Sequence, residues 1–265
     1  MPRTSPGTHW NPGAYLTYAS ERTQPFIDLL QRVKMPQART IVDLGCGPGN
    51  GMPVLRQLWP EARIIGIDSS EEMLERARTS TAEDAGIEYL QADIRTFELE
   101  QPADLIVSNA ALQWIPEHRQ LLPRIQNFVA ETGVLAVQIP GNHTAPSHRL
   151  LFEYANRDPY RRYIDPASLL QPTGEVSDYM LDVAGAGWHI EGWETRYHHV
   201  LQGEDPVYDW VAAAAARPVL QALPQDLLEQ FAAEYKAALR EAYPRTALGT
   251  ILPFRRLFIV ARRTH

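Results

Sequence analysis

Three acids, Asp43, Asp68 and Asp93, each close a short apolar run. Three alternate glycines, Gly45, Gly47 and Gly49, stand between the first two acids. Glycine accepts positive φ and lets a ligand approach the backbone. A strand, a glycine turn and a helix in this order point a helix N-terminus at a bound ligand. A glycine turn alone is weak evidence, since it also serves as a plain tight turn. Asp68 sharpens it: the acid falls about 20 residues after the glycines, the spacing at which a carboxylate meets ribose hydroxyls. A dinucleotide site wants its third glycine one position later, in Gly-x-Gly-x-x-Gly. An anionic Asp43 beside the turn also suits a cationic ligand better than a pyrophosphate.

These residues need a frame. Ile41 to Leu44, Arg63 to Ile67, Ile87 to Gln91, Ala103 to Ser108 and Gly133 to Ile139 read as strands. The last is nearly continuous in apolar residues, as expected of a strand covered on both faces. Helices alternate with them: Pro53 to Leu58, a helix capped by Ser70, and His118 to Phe128. Open sheets of this kind bind ligands at the carboxyl ends of their strands. The stretches Asn109 to Trp114 and Pro140 to His148 therefore belong at the ligand edge. Beyond them, 147–156 and 176–186 look helical, 157–174 reads as a Pro-containing lid, and Glu191 to Leu201 reads as a strand. Helices are expected over Val207 to Leu220 and Asp226 to Tyr243, and a last strand over Phe254 to Ala261. At the start, Asn11 caps a first helix and a second runs from near Arg22 to Val33.

The glycine turn closely resembles the first motif of seven-stranded S-adenosylmethionine-dependent methyltransferases. Further stretches carry a closer resemblance: Trp10-Asn11-Pro12, Gly66-Ile67-Asp68-Ser69-Ser70, Ala92-Asp93-Ile94, Asn109 to Trp114, Ala136 to Asn142 and Phe254 to Ala261. Together they resemble the trans-aconitate 2-methyltransferase family over nearly the whole chain. One departure is His143, where that family usually offers an aromatic after Pro-Gly-Asn. The resemblance implies an α/β fold with a Rossmann-like seven-stranded sheet, its last strand antiparallel, and a helical cap inserted near the C-terminus. It implies one domain over 1–265: N-terminal helices over the cofactor (10–35), a cofactor-binding core (36–145), a substrate cap with the sixth strand (146–250) and the last strand (251–265).

S-adenosylmethionine is the implied cofactor. Its expected contacts are Tyr15, Arg22, Asp43, Gly45, Gly47, Asn50, Asp68, Ser69, Met73, Asp93, Ile94, Asn109 and Trp114. Met73 suits an adenine face, Asp93 the adenine amine and Trp114 the sulfonium, and ordinary packing or turn capping remains open for each. The resemblance implies methyl transfer to a small carboxylate. An antiparallel last strand puts Arg255 and Arg256 at the ligand rim, one binding the acceptor and the other pairing structurally. Arg217, Tyr197, His148, His143 and Trp114 complete the acceptor candidates. A carboxylate is ionised near neutral pH, so no catalytic base is expected, only positioning. His198 and His199 point to opposite faces of a strand and cannot share an ion, so no metal is expected.

Composition bounds the rest. The net charge of −7 forms no basic stripe, which argues against nucleic acid. No apolar run is long enough to span a bilayer, and residues 1–9 lack a signal core. Cys46 is the single cysteine, read as a small buried filler. The expectation is a cytoplasmic monomer acting on a small molecule. Two other readings stay open: an O- or N-methyltransferase of another metabolite with His143 as base, and a silent S-adenosylmethionine-binding protein.

Overall fold

The computed structural model describes residues 23–81, 84–166, 169 and 172–264. The expected first helix, Tyr15 and Arg22 lie outside the described residues. Among the described residues eight strands form one sheet: β1 Thr40–Leu44, β2 Arg63–Asp68, β3 Ile87–Gln91, β4 Ala103–Asn109, β5 Val129–Pro140, β6 Trp188–Leu201, β7 Arg245–Thr246 and β8 Gly249–Arg263. Their order is β3-β2-β1-β4-β5-β8-β6, and the two-residue β7 pairs with β8 at its start. β1 to β5 pair in parallel, while β8 runs antiparallel to β5 and β6. The order reverses between β1 and β4, which opens a crevice at their carboxyl ends.

Both faces of the central strands are covered, because alternate residues enter different cores. Ile41, Leu105, Val107 and Ala136 pack with the helices Gln24–Gln31 and Met52–Leu58. Val42, Leu44, Ile106 and Val137 pack with the helices His118–Gln126 and Val176–Asp182. This explains why the strands read as apolar runs rather than alternating patterns. A third core joins the helices Pro146–Ala155, Pro206–Ala212 and Gln225–Ala242 to Leu252 and Phe254 of β8. Phe231, Tyr235 and Leu239 form the buried stripe of the long helix, at the spacing the sequence predicts.

Two expectations need correction. The helix expected over Val207 to Leu220 is two helices, Pro206–Ala212 and Arg217–Ala222, joined by a turn through the alanines. Pro218 has no N–H, and its ring would strike the carbonyl of Ala214 in a continuous helix, so the chain restarts with proline in the first turn. The last strand begins at Gly249 rather than Phe254. Its extra residues pair with β6 after β5 has ended, so Pro253 sits where one ladder is missing anyway.

The start of β8 is tied to the end of β5. Pro140 pairs with Arg256. Past Pro140 the Asn142 side chain continues the ladder: its Nδ2 donates to the Arg255 carbonyl at 2.9 Å, and its Oδ1 accepts from the Arg255 N–H at 2.8 Å. Asn142 is buried. Asn142→Ala removes both bonds, so urea denaturation should show a loss of about 2 kcal/mol, from about 1 kcal/mol per bond.

Candidate active site

The turn after β1 owes its shape to its glycines. Gly45, Gly47 and Gly49 all adopt positive φ, at 74°, 54° and 81°. The N–H groups of Gly45 and Cys46 both donate to the Ile67 carbonyl, at 2.7 and 3.0 Å, which pins the turn to β2. A Cβ on Gly45 would lie 2.2 Å from the Ala111 Cβ, so the turn after β4 packs directly on this backbone. A Cβ on Gly47 would meet nothing within 4 Å and would project into the open cleft. Asp68 braces the same turn: its Oδ2 accepts from the Gly47 N–H at 2.9 Å and its Oδ1 from the Ser70 N–H at 2.9 Å. Ser70 in turn caps the helix Glu71–Ser80 that carries Met73.

The opposing wall is the end of β4. Ala110 has φ of 54°, the only positive value at a described non-glycine residue. That conformation costs an L-residue about 1–2 kcal/mol. Two bonds hold it: the Ala110 N–H donates to the Gln138 carbonyl at 3.0 Å, and Gln113 Nε2 donates to the Ala110 carbonyl at 2.5 Å. The 3-10 turn Leu112–Trp114 follows and leaves Trp114 46% exposed over the cleft.

Two adjoining cavities share Gly45, Gly47, Pro48, Ala110 and Trp114. One, of about 490 Å³, is lined by Asp68, Ser69, Met73, Asp93 and Ile94. The other, of about 300 Å³, is lined by Asp43, Asn50, Asn109, Gln113, Trp210, Phe254 and Arg256. Every cofactor candidate among the described residues therefore lines one cavity or the other. Asp93 already holds Arg95, whose Nε lies 3.0 Å from both carboxylate oxygens, and this pairing draws its carboxyl below the ordinary range. Asp43 is 5% exposed. Burial, and then the neighbouring Asp68 charge, push its carboxyl up to about 7.

The acceptor candidates divide. Trp114 and Arg256 line the smaller cavity. Arg256 is 4% exposed, with its guanidinium 4.5 Å from the Phe254 ring centre and its Nη1 3.4 Å from Gln138 Oε1. Arg255 points to the other face and bonds Glu175 and Glu194. Arg217 is exposed at the start of its short helix, outside both cavities. Tyr197 donates to Asp28, and burial followed by this contact pushes its hydroxyl up. His143 lies beside Thr173, with Nδ1 and Oγ1 3.3 Å apart, and burial followed by the Arg255 charge lowers it. His148 bonds Ser147 and is lowered to about 4, chiefly by burial. Tyr197 and both histidines lie outside the two cavities. Gln113, Trp210 and Phe254 also line the smaller cavity, although the sequence offers none of them as a site candidate. Gln113 lies within the Asn109 to Trp114 stretch, whereas Trp210 lies about 160 residues beyond the glycine turn with which it shares a cavity and carries no local signal. Among the described residues no group of metal-binding side chains occurs, and no helix is long and apolar enough to cross a membrane.

The residues fit a nucleoside with a polar tail. The Gly47 backbone leaves the space that a side chain would fill, and buried Asn109 Oδ1 and Gln113 Oε1 have no partner among the described residues. The sheet order and this two-part cleft define an S-adenosylmethionine-dependent methyltransferase of the seven-stranded class. The family model described as "Methyltransferase domain" matches residues 41–133. The chain is 45% identical to trans-aconitate 2-methyltransferase of Streptomyces avermitilis, covering 99% of each chain. It is 42% identical to the enzyme of that name in Methylobacterium nodulans, over 96% of this chain and 98% of that one. Coclaurine N-methyltransferase bound to S-adenosylhomocysteine shares the fold, with a TM-score of 0.54 at 13% identity over 91% of this chain and 72% of that one. The chain belongs to the trans-aconitate 2-methyltransferase family, and its cofactor is S-adenosylmethionine.

Asp43 gives this site a pH signature. Its folded pKa of about 7 lies above the ordinary value of 3.8, so the folded state binds more protons than the unfolded state between those values. Its contribution to stability is thus full below about pH 4 and falls as the pH rises towards 7. Asp43→Asn should flatten this fall and stabilise the ligand-free protein at pH 7 by about 2–4 kcal/mol, read from urea midpoints across that range.

Proposed function

We propose that the enzyme transfers a methyl group to a carboxylate oxygen of trans-aconitate or a similar small polycarboxylate, forming a methyl ester. Arg256 carries this reading: a buried guanidinium in the wall of the same cavity as Asp43 and the glycine turn. A planar guanidinium fork matches a carboxylate with two parallel hydrogen bonds. The name shared by the Streptomyces and Methylobacterium relatives supports the same acceptor.

When bound, the cofactor supplies an electrophilic methyl group on a sulfonium centre. The protein's own residues bind, orient and exclude water. Asp68, Ser69, Met73, Asp93 and Ile94 hold the nucleoside end, and Asp43, Asn50 and Asn109 hold the tail along the glycine turn. Arg256 holds an acceptor carboxylate, steadied by Gln138 Oε1 on one side and the Phe254 ring on the other. The acceptor oxygen is already ionised, so no side chain has to take a proton. Alignment of the reacting atoms can contribute roughly 7–11 kcal/mol. Trp114, Trp210 and Phe254 close the cleft to water. An O- or N-methyltransferase using His143 as base has less support, because His143 faces Thr173 rather than the cleft. The reading extends to a monomer in the cytoplasm acting on a small molecule and not on nucleic acid. The single cysteine and the net charge of −7 support that setting.

Transfer of labelled methyl from the cofactor to a panel of di- and tricarboxylates tests the reaction. Turnover of trans-aconitate or a close analogue is expected, and a panel with no labelled ester would sink the proposal. Arg256→Ala should raise the acceptor KM by about 2–5 kcal/mol in binding terms while S-adenosylhomocysteine affinity stays within a few-fold. Arg256→Lys should not restore it, since the planar fork is lost. Arg255→Ala should change the acceptor KM little.

A further inference from the structure

We infer that Gln113 is a positioning residue of this site: its amide nitrogen locks the left-handed turn at Ala110, and its amide oxygen accepts a hydrogen bond from the bound cofactor. Gln113 is 6% exposed and lies in the wall of the smaller cavity, beside Asp43 and Asn109. Its Nε2 donates to the Ala110 carbonyl at 2.5 Å. A carbonyl can only accept, so this bond decides which end of the amide is nitrogen. Oε1 is the other end, buried and without a partner among the described residues. Buried acceptors are nearly always satisfied, and one in a ligand cleft calls for a donor from the ligand.

The nitrogen end acts on geometry. Ala110 leads into Ala111, which packs on the Gly45 backbone so closely that no Cβ fits between them. The separation of the two cavity walls therefore depends on the turn that Gln113 holds. The oxygen end acts on chemistry. Ionised trans-aconitate has no N–H or O–H to give, whereas the cofactor carries ammonium, hydroxyl and amino donors. Assigning the donor to the cofactor rests on the polycarboxylate reading. The test therefore omits the acceptor, so its outcome does not depend on which acid is methylated.

Calorimetric titration with S-adenosylhomocysteine is the test. Gln113→Met keeps the side-chain length and removes both polar atoms. Its affinity should fall at least tenfold in protein that still unfolds cooperatively. A purely structural role would lower the melting temperature and leave affinity alone, so a folded Gln113→Met within twofold of wild type overturns the inference. Ala110→Gly separates the two ends of the amide, because glycine adopts positive φ without a pin. It also supplies a background in which Gln113→Met need not strain the fold. In that background Gln113→Met should still bind at least threefold more weakly than Ala110→Gly alone. Equal affinity of the two would overturn the role of the oxygen.

Discussion

The Ala111 methyl packs so closely on the Gly45 backbone that no side chain fits at Gly45, and the site is built outward from that contact. β1 and β4 are adjacent parallel strands whose chains leave in opposite directions at their carboxyl ends. The crevice between the departing turns becomes a binding site because the turns close its floor without filling it. Glycine supplies the closeness on one side. On the other, Ala110 is held in a conformation that alanine resists, by the Gln138 carbonyl on β5 and by its own neighbour Gln113. Strain of this kind persists only where the surroundings over-determine it.

Gln138 links the two halves of the site. Its backbone carbonyl holds Ala110, which lines both cavities, while its side-chain oxygen meets Arg256, which lines the smaller one. An acidic and a basic side chain line one small cavity: Asp43 beside the glycine turn and Arg256 beneath Phe254. Burying Asp43 disfavours its charged form, and a cationic ligand offsets that cost on arrival. Strand alternation separates the twin arginines. Arg256 faces the cavity, while Arg255 faces Glu175 and Glu194, which neutralise it.

The remaining wall comes from far along the chain. The helix Pro206–Ala212 carries Trp210 against Phe254, with ring centres 5.7 Å apart, and both line the smaller cavity. The break before Pro218 lets this helix stop short, and Ala214 in the intervening turn also lines the cavity. A continuous helix would run on past this point.

Much was legible in the sequence because it is local. Apolar runs marked the central strands, the glycine spacing marked the turn, and the acids at strand ends marked residues that line the two cavities. In each case a few neighbouring residues carry the whole physical cause. The antiparallel last strand came through family resemblance, and the sheet pairing Pro140 to Arg256 bears it out. What needed the tertiary structure depended on residues distant in sequence. Arg255 and Arg256 are indistinguishable as text. Only the neighbours on β5 and β6, and Glu175 at the start of the helix Val176–Asp182, decide that one is neutralised by glutamates and the other lines the cleft. The same holds for His143, His148 and Tyr197, whose partners draw them away from the cavity. Trp210 entered the site through packing of a helix that no local pattern ties to the glycine turn. Sequence determined which turns and strands form, because their energies are set by adjacent residues. Tertiary structure decided which side chains meet, because that depends on how separate elements bury their apolar faces together.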